Sequence, residues 1–339
     1  MNRVVIRQVL PIGLAIGLLW YVLKDVPLTE LTNQFRRADY RWLVLTGLLV
    51  GLYHLVRAAR WQLTLQALGY QPSLFRTTVA LLAGTLTSLI IPGAGELTRC
   101  ETLRRTDSIP LAQGIGSVVA ERVIDLLLLV GLISLTLLLE FERVGRYIVN
   151  LLAPARARFT VDQPGLVLGV ALFSLLMVMG LAYWLVRKQV IRQHQFVVRL
   201  VDIGRSVGQG FMGIRQLQRP ILFIALTLLT ELLLFLITYV LFFASPQTNS
   251  LPPVAALTIL TISSIGGLAV PTQGGLGTYH FLVSRVLMLY GMGETEGIVV
   301  ATFLHAVQVG FSLLLSSLSV LFVPILIRQR SRRVEKVVG

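Results

Sequence analysis

The stretch Pro92-Gly93-Ala94-Gly95-Glu96-Leu97-Thr98-Arg99 decides how this chain folds. It closes an apolar run, residues 77–91, which makes roughly 22 Å of helix at about 1.5 Å per residue. A hydrocarbon core is about 30 Å thick, so the run covers more than half of a crossing and falls short of a whole one. A proline and two glycines then break the helix, and Glu96 and Arg99 follow at once. Backbone broken at such depth is tolerated only where protein or a water-filled cavity covers it. A second stretch, Pro271-Thr272-Gln273-Gly274-Gly275-Leu276-Gly277-Thr278-Tyr279-His280, ends a second apolar run, residues 254–270. Paired interruptions in the two halves of a chain point to the binding site of a transporter.

Outward from these breaks, the whole chain is apolar. Of 339 residues, 55% are hydrophobic and 14% charged, against about 25% charged in a soluble domain. Residues 232–284 contain no Asp, Glu, Lys or Arg. The fold class expected is all-α and integral to the membrane: a polytopic helical bundle with two inverted re-entrant helical hairpins, in a single transmembrane domain over 1–339. The net charge of +14 marks cytoplasmic loops in such a protein and does not call for nucleic acid. One cysteine, Cys100, excludes an internal disulfide or thiolate metal site, and the four histidines lack ligand spacing. No cofactor and no metal are expected.

Full spans are expected at 9–23, 42–56, 109–139, 165–186, 221–243 and 298–327, with an interfacial helix at 28–40 and an amphipathic cytoplasmic linker at 187–219. If both broken segments enter and leave on one side, 20 basic residues lie in the cytoplasm and eight outside. That asymmetry obeys the positive-inside rule and puts both termini in the cytoplasm of a plasma (inner) membrane protein. The two hairpins then enter from opposite faces. Halves at about 42–139 and 220–327 become an inverted repeat around a midplane site. A short echo supports the pairing: Val118-Val119-Ala120 and Val299-Val300-Ala301 open the helices that follow the breaks.

Candidate binding residues gather at the breaks. Glu121 and Asp125 share a helix face at i, i+4, with Arg122 between them. An ionisable residue inside the bilayer costs about 2.5–3.5 kcal/mol on insertion scales, so it needs a partner or water. Two readings stay open: an architectural Glu–Arg–Asp clasp with Glu121 and Arg122 paired, or substrate and proton handling. Glu96 and Arg99 either cap a helix and snorkel, or sit where backbone N–H groups receive an anion. Arg57 and Arg60 are read as an interfacial anchor or as phosphate contacts. Glu231, alone in an apolar span, is expected to be protonated or paired. His280 and His305 are proton carriers or satisfied core residues. Gly93, Gly95, Gly275 and Gly277 would let backbone approach a headgroup closely.

Together, Arg57-x-x-Arg60-Trp61, Pro92-Gly-Ala-Gly-Glu96-x-x-Arg99, Glu121-Arg122-x-x-Asp125 and Pro271-x-x-Gly-Gly-Leu-Gly277 resemble the flippase-like transmembrane region of lysylphosphatidylglycerol synthases. The likeness runs over nearly the whole chain. It implies two re-entrant hairpins and a role in moving polar lipids or lipid-linked precursors between leaflets. That family commonly places a Glu where this chain has His280. The synthases also carry a soluble aminoacyl-transfer domain after the membrane part. This chain stops at Gly339, so the expectation is a lipid flippase or transporter that is not itself an enzyme. Its partners would be a phospholipid or lipid-linked substrate and the membrane, with a homodimer or a lipid-modifying enzyme as further candidates. A small-solute or ion transporter and a non-catalytic membrane partner of such an enzyme are the rival functions.

Overall fold

A computed structural model describes residues 28–143, 217–270 and 272–338. The expected spans at 9–23 and 165–186, nearly all of the linker at 187–219, and Pro271 lie outside them. The elements in order are α1 (Leu28–Arg36), α2 (Tyr40–Ala67), α3 (Leu74–Ile90), α4 (Gly95–Asp107), α5 (Leu111–Leu139), α6 (Pro220–Phe242), α7 (Pro253–Ala269), a 3-10 turn (Gln273–Gly275), α8 (Thr278–Leu289), α9 (Glu294–Val320) and α10 (Val323–Val338). The described residues contain helices and turns and no strand. This is an all-α polytopic membrane protein. α2, α5, α6 and the continuous stretch Glu294–Arg330 are long and apolar enough to cross a bilayer, whereas α3 and α7, at 17 residues each, are shorter.

Local chemistry sets the ends. Asp39 and Ser73 cap α2 and α3 by accepting from the backbone N–H of Arg41 and Arg76. α6 and α7 begin on prolines, whose missing N–H would be unsatisfied there in any case. α3 stops where Pro92 and Gly93 follow, and Gly93 takes φ +77, a conformation that suits glycine.

Both broken segments fold back on themselves. At the open end of the first, Arg76 at the start of α3 bonds Asp107 at the end of α4, 2.9 Å apart. At the open end of the second, the hydroxyls of Thr258 on α7 and Tyr290 after α8 meet at 3.3 Å. These ends lie on opposite sides of the bundle. Arg330 of α10 donates to the carbonyls of Arg104 and Arg105 beside the first, while Tyr290 donates to Glu140 at the far end of α5. α2 and α6 pack antiparallel: Trp42 at the start of one stacks near Phe243 at the end of the other, and Leu63 clusters with Leu217 and Phe223 at the opposite pole.

Glycines allow the arms of each hairpin to cross closely. A Cβ on Gly95 would strike the Ser88 hydroxyl and the Gly84 carbonyl, and one on Gly266 would strike Leu282. Gly95 therefore packs closely against α3 inside the hairpin. Two apolar cores result. One joins Trp61, Leu65, Leu81, Leu103 and Val118 from α2 to α5. The other joins Leu241, Ile259, Leu287, Val300 and Phe303 from α6 to α9. The tips of the two hairpins meet between these cores, where Gly274 lies against Leu89.

Candidate functional site

Three helices bring the charged motifs together. α2 carries Arg57 and Arg60, α4 carries Glu96 and Arg99, and α5 carries Glu121, Arg122 and Asp125. Arg60, Arg99 and Glu121 are 2%, 3% and 1% exposed, so their charges have no water to fall back on. Glu121 is the hub: one oxygen lies 3.0 Å from Arg99 Nη1 and the other 3.5 Å from Arg60 Nε. Arg60 also reaches Asp125 at 2.9 Å. The Arg99 guanidinium lies over the Trp61 ring, 4.6 Å from its centroid, and Trp61 donates its indole N–H to Ser117 on α5.

Two expectations change here. Glu121 does not pair with Arg122; Arg122 instead lies 3.3 Å from Glu96 and 3.6 Å from Asp125. Successive helix residues point about 100° apart, so adjacent Glu and Arg face different neighbours. Nor do Arg60 and Arg99 snorkel, since both are enclosed by three helices and held by carboxylates. Arg57 stands apart: among the described residues no carboxylate lies within ion-pair distance of it. Glu231 on α6 likewise makes no ion pair there. On the far side, Arg285 pairs with Glu294 at 2.9 Å.

At the second tip, Gly274, Gly275 and Gly277 all take positive φ. His305 on α9 bonds the Gly274 carbonyl through Nε2 at 2.8 Å. A carbonyl only accepts, so that nitrogen carries the proton. Tyr279 stacks on the His305 ring at 4.5 Å. His280 is 3% exposed, and its Nδ1 accepts the Gly277 N–H at the start of α8. It caps the helix and lies off the cavity wall described next.

Two neighbouring chambers, each with polar side chains in its wall, lie between the tips. The larger, of about 370 Å³, is walled by α2, α3, α6, α7, α8, α9 and the second tip, with Tyr53, His54, Ser263, Ser264, Gln308 and Ser312 among its polar side chains. The smaller, of about 150 Å³, is lined by Gly84, Ser88, Gly95, Glu96 and Arg99. Arg57 and Thr85 belong to both walls. Thus Arg57, Glu96, Arg99, Gly95 and Gly275 border cavity space; Arg60, Glu121, Arg122 and Asp125 form the network behind it; and Gly93, Gly277 and His280 shape the tips. Sequence reading missed the wall made by His54, Thr85, Ser263 and Ser312. A signal existed, because His54 with Arg57, and His305 with Gln308 and Ser312, sit at helical spacing on one face. Among the described residues no group of three or more His, Cys, Asp or Glu could hold a metal.

The family model described as the lysylphosphatidylglycerol synthase TM region matches residues 8–316. No curated protein and no solved structure matches the chain.

Proposed function

The chain belongs to the lysylphosphatidylglycerol synthase TM-region family, and from that premise we propose that it is a lipid flippase, a transporter without catalytic chemistry of its own. Membership ties the chain to lipid handling. The finer reading draws its support from one observation above all: a cavity of about 370 Å³, into whose largely apolar wall Arg57 and several hydroxyl, imidazole and amide side chains are set, lies between two glycine-bearing helix breaks, inside a bundle of apolar helices. A hydrophilic headgroup needs such a path, while its acyl chains remain in the bilayer.

In this reading α2–α5 and α6–α9 are the two halves of an inverted repeat, and the hairpins are re-entrant from opposite faces. The antiparallel packing of α2 and α6 and the opposed open ends of the hairpins support it. Arg57 receives the headgroup phosphate. Arg60, Arg99, Glu121 and Asp125 are positioning residues that fix α2, α4 and α5 around it. The termini lie in the cytoplasm and the protein in the plasma (inner) membrane, as the basic-residue asymmetry favours.

The test is leaflet exchange of fluorescent phospholipids in proteoliposomes, scored against protein-free vesicles. Gly267 is on the chamber wall, with open space where a Cβ would stand. Gly267→Leu should therefore fill the path and slow exchange at least tenfold, with an unchanged size-exclusion profile. Wild-type protein that exchanges none of the anionic, zwitterionic and cationic phospholipids above the protein-free rate overturns the reading.

A further inference from the structure

The wall of the large chamber carries one formal charge. Among the described residues lining it, Arg57 is the only Asp, Glu, Lys or Arg side chain. The remaining polar groups are hydroxyls, imidazoles and an amide. His54 is 3% exposed, and among the described residues its Nδ1 has no hydrogen-bond partner; neither has Nε2 of Gln308. His54 Nε2 faces the Ser312 hydroxyl at 3.5 Å, and both residues line the cavity.

Nearby carboxylates are already engaged. Glu121 is held by Arg60 and Arg99, Asp125 by Arg60 and Arg122, and Glu96 by Arg122. Glu96 alone of these touches cavity space, in the small chamber. Glu231 lines neither chamber.

We propose that the headgroup carried is anionic and hydroxyl-bearing, a phosphate linked to an uncharged polyol, rather than one bearing an aminoacyl cation. This rests on the flippase reading above and names its substrate class. The argument is one of matched groups. A free guanidinium offers five donors in a planar fork suited to phosphate oxygens. Hydroxyl, amide and imidazole groups that both donate and accept suit the hydroxyls of a polyol. A lysyl-bearing headgroup brings ammonium groups into the same space. Those would need carboxylates, which the large chamber does not offer, and they would stand beside Arg57 with like charge. Arg57 lines both chambers, so a phosphate bound to it can pass between them without releasing the guanidinium.

Two measurements on the full chain test this. In the first, detergent-purified protein is offered phosphatidylglycerol and lysylphosphatidylglycerol at equal concentration, and retained lipid is counted by native mass spectrometry. In the second, fluorescent forms of both, and of phosphatidylcholine, are followed in leaflet exchange. Wild-type protein should retain phosphatidylglycerol about tenfold over the lysyl lipid and exchange it about tenfold faster than either of the other two. Arg57→Gln should abolish that preference, because a charge-assisted hydrogen bond is worth about tenfold or more, and Arg57→Lys should restore part of it. Size-exclusion profiles check that the variants fold. Equal or preferential retention of the lysyl lipid by wild type overturns the headgroup class, whatever the exchange rates. So does an unchanged preference in well-folded Arg57→Gln. Retention of phosphatidylglycerol that depends on Arg57, with no exchange of any lipid, supports the headgroup class and overturns the flippase reading alone.

Discussion

Glu121 is the residue on which the charged cluster turns. It is almost fully enclosed and answers two arginines from two other helices. Removing its charge leaves Arg60 and Arg99 partly uncompensated in an apolar setting. Glu121→Gln should therefore cost about 3–5 kcal/mol, the usual cost of breaking a buried pair. Thermal unfolding in detergent can separate the partners by double-mutant cycles. Glu121→Gln with Arg99→Met should show a coupling of about 1–3 kcal/mol, whereas Glu121→Gln with Arg122→Gln, linked only through Arg60 and Asp125, should couple clearly less. Arg122 is 46% exposed and meets different carboxylates. Strong coupling in the second cycle and none in the first would reverse the assignment of partners.

At the scale of elements, the hairpins depend on how closely their arms approach. Gly84 and Gly95 touch so tightly that a methyl group on either meets backbone of the other. Backbone yields less readily than a side chain, so Gly95→Ala should lose about 1–3 kcal/mol through overpacking. Gly116, in the interior of α5, has nothing within 4 Å of an added Cβ. There Ala removes the helix penalty of glycine and should be neutral or stabilising by up to about 1 kcal/mol. Melting temperatures of the two variants check this, and equal values would mean that the crossing is not tight. The same crossing explains why the charged network forms: it carries α4 back beside α2, which brings Arg99 onto the Trp61 ring.

The whole molecule is organised by opposed hairpin openings. Gln71 lies just before α3 and Asn249 lies between α6 and α7, and both are exposed. Single cysteines there, in a Cys100→Ser background, should differ toward an impermeant thiol reagent applied to intact cells. Asn249→Cys should label from outside and Gln71→Cys only after the membrane is opened. Labelling of both from one side would overturn the opposed arrangement, and the reverse pattern would invert the orientation. Asn249 suits the purpose better than its neighbour Thr248, which is fully buried with its hydroxyl bonded to the Phe242 carbonyl.

Composition, apolar runs and the two Pro-Gly breaks determined by themselves that this is a polytopic helical membrane protein. Among the described residues they also placed the starts of the apolar helices within a few residues, although α2 runs beyond its expected end at 56 to Ala67. Those features follow from local physics: hydropathy over a span's length, and backbone that proline and glycine cannot continue as helix. Which charges of the cluster pair, and that Arg57 beside them has no carboxylate at ion-pair distance among the described residues, only the tertiary structure decided. Arg99 and Arg122 sit near carboxylates along the chain and Arg60 does not, and spacing offered Glu121 to Arg122. The angle between neighbouring helix positions and the return of α4 beside α2 gave Glu121 instead to Arg60 and Arg99. Likewise His280 could be read from its motif as a ligand, but the positive φ of Gly277 turns that N–H onto its ring. The cavity wall draws on elements from α2 to α9 that lie far apart in sequence, and no local pattern specifies how their polar side chains converge.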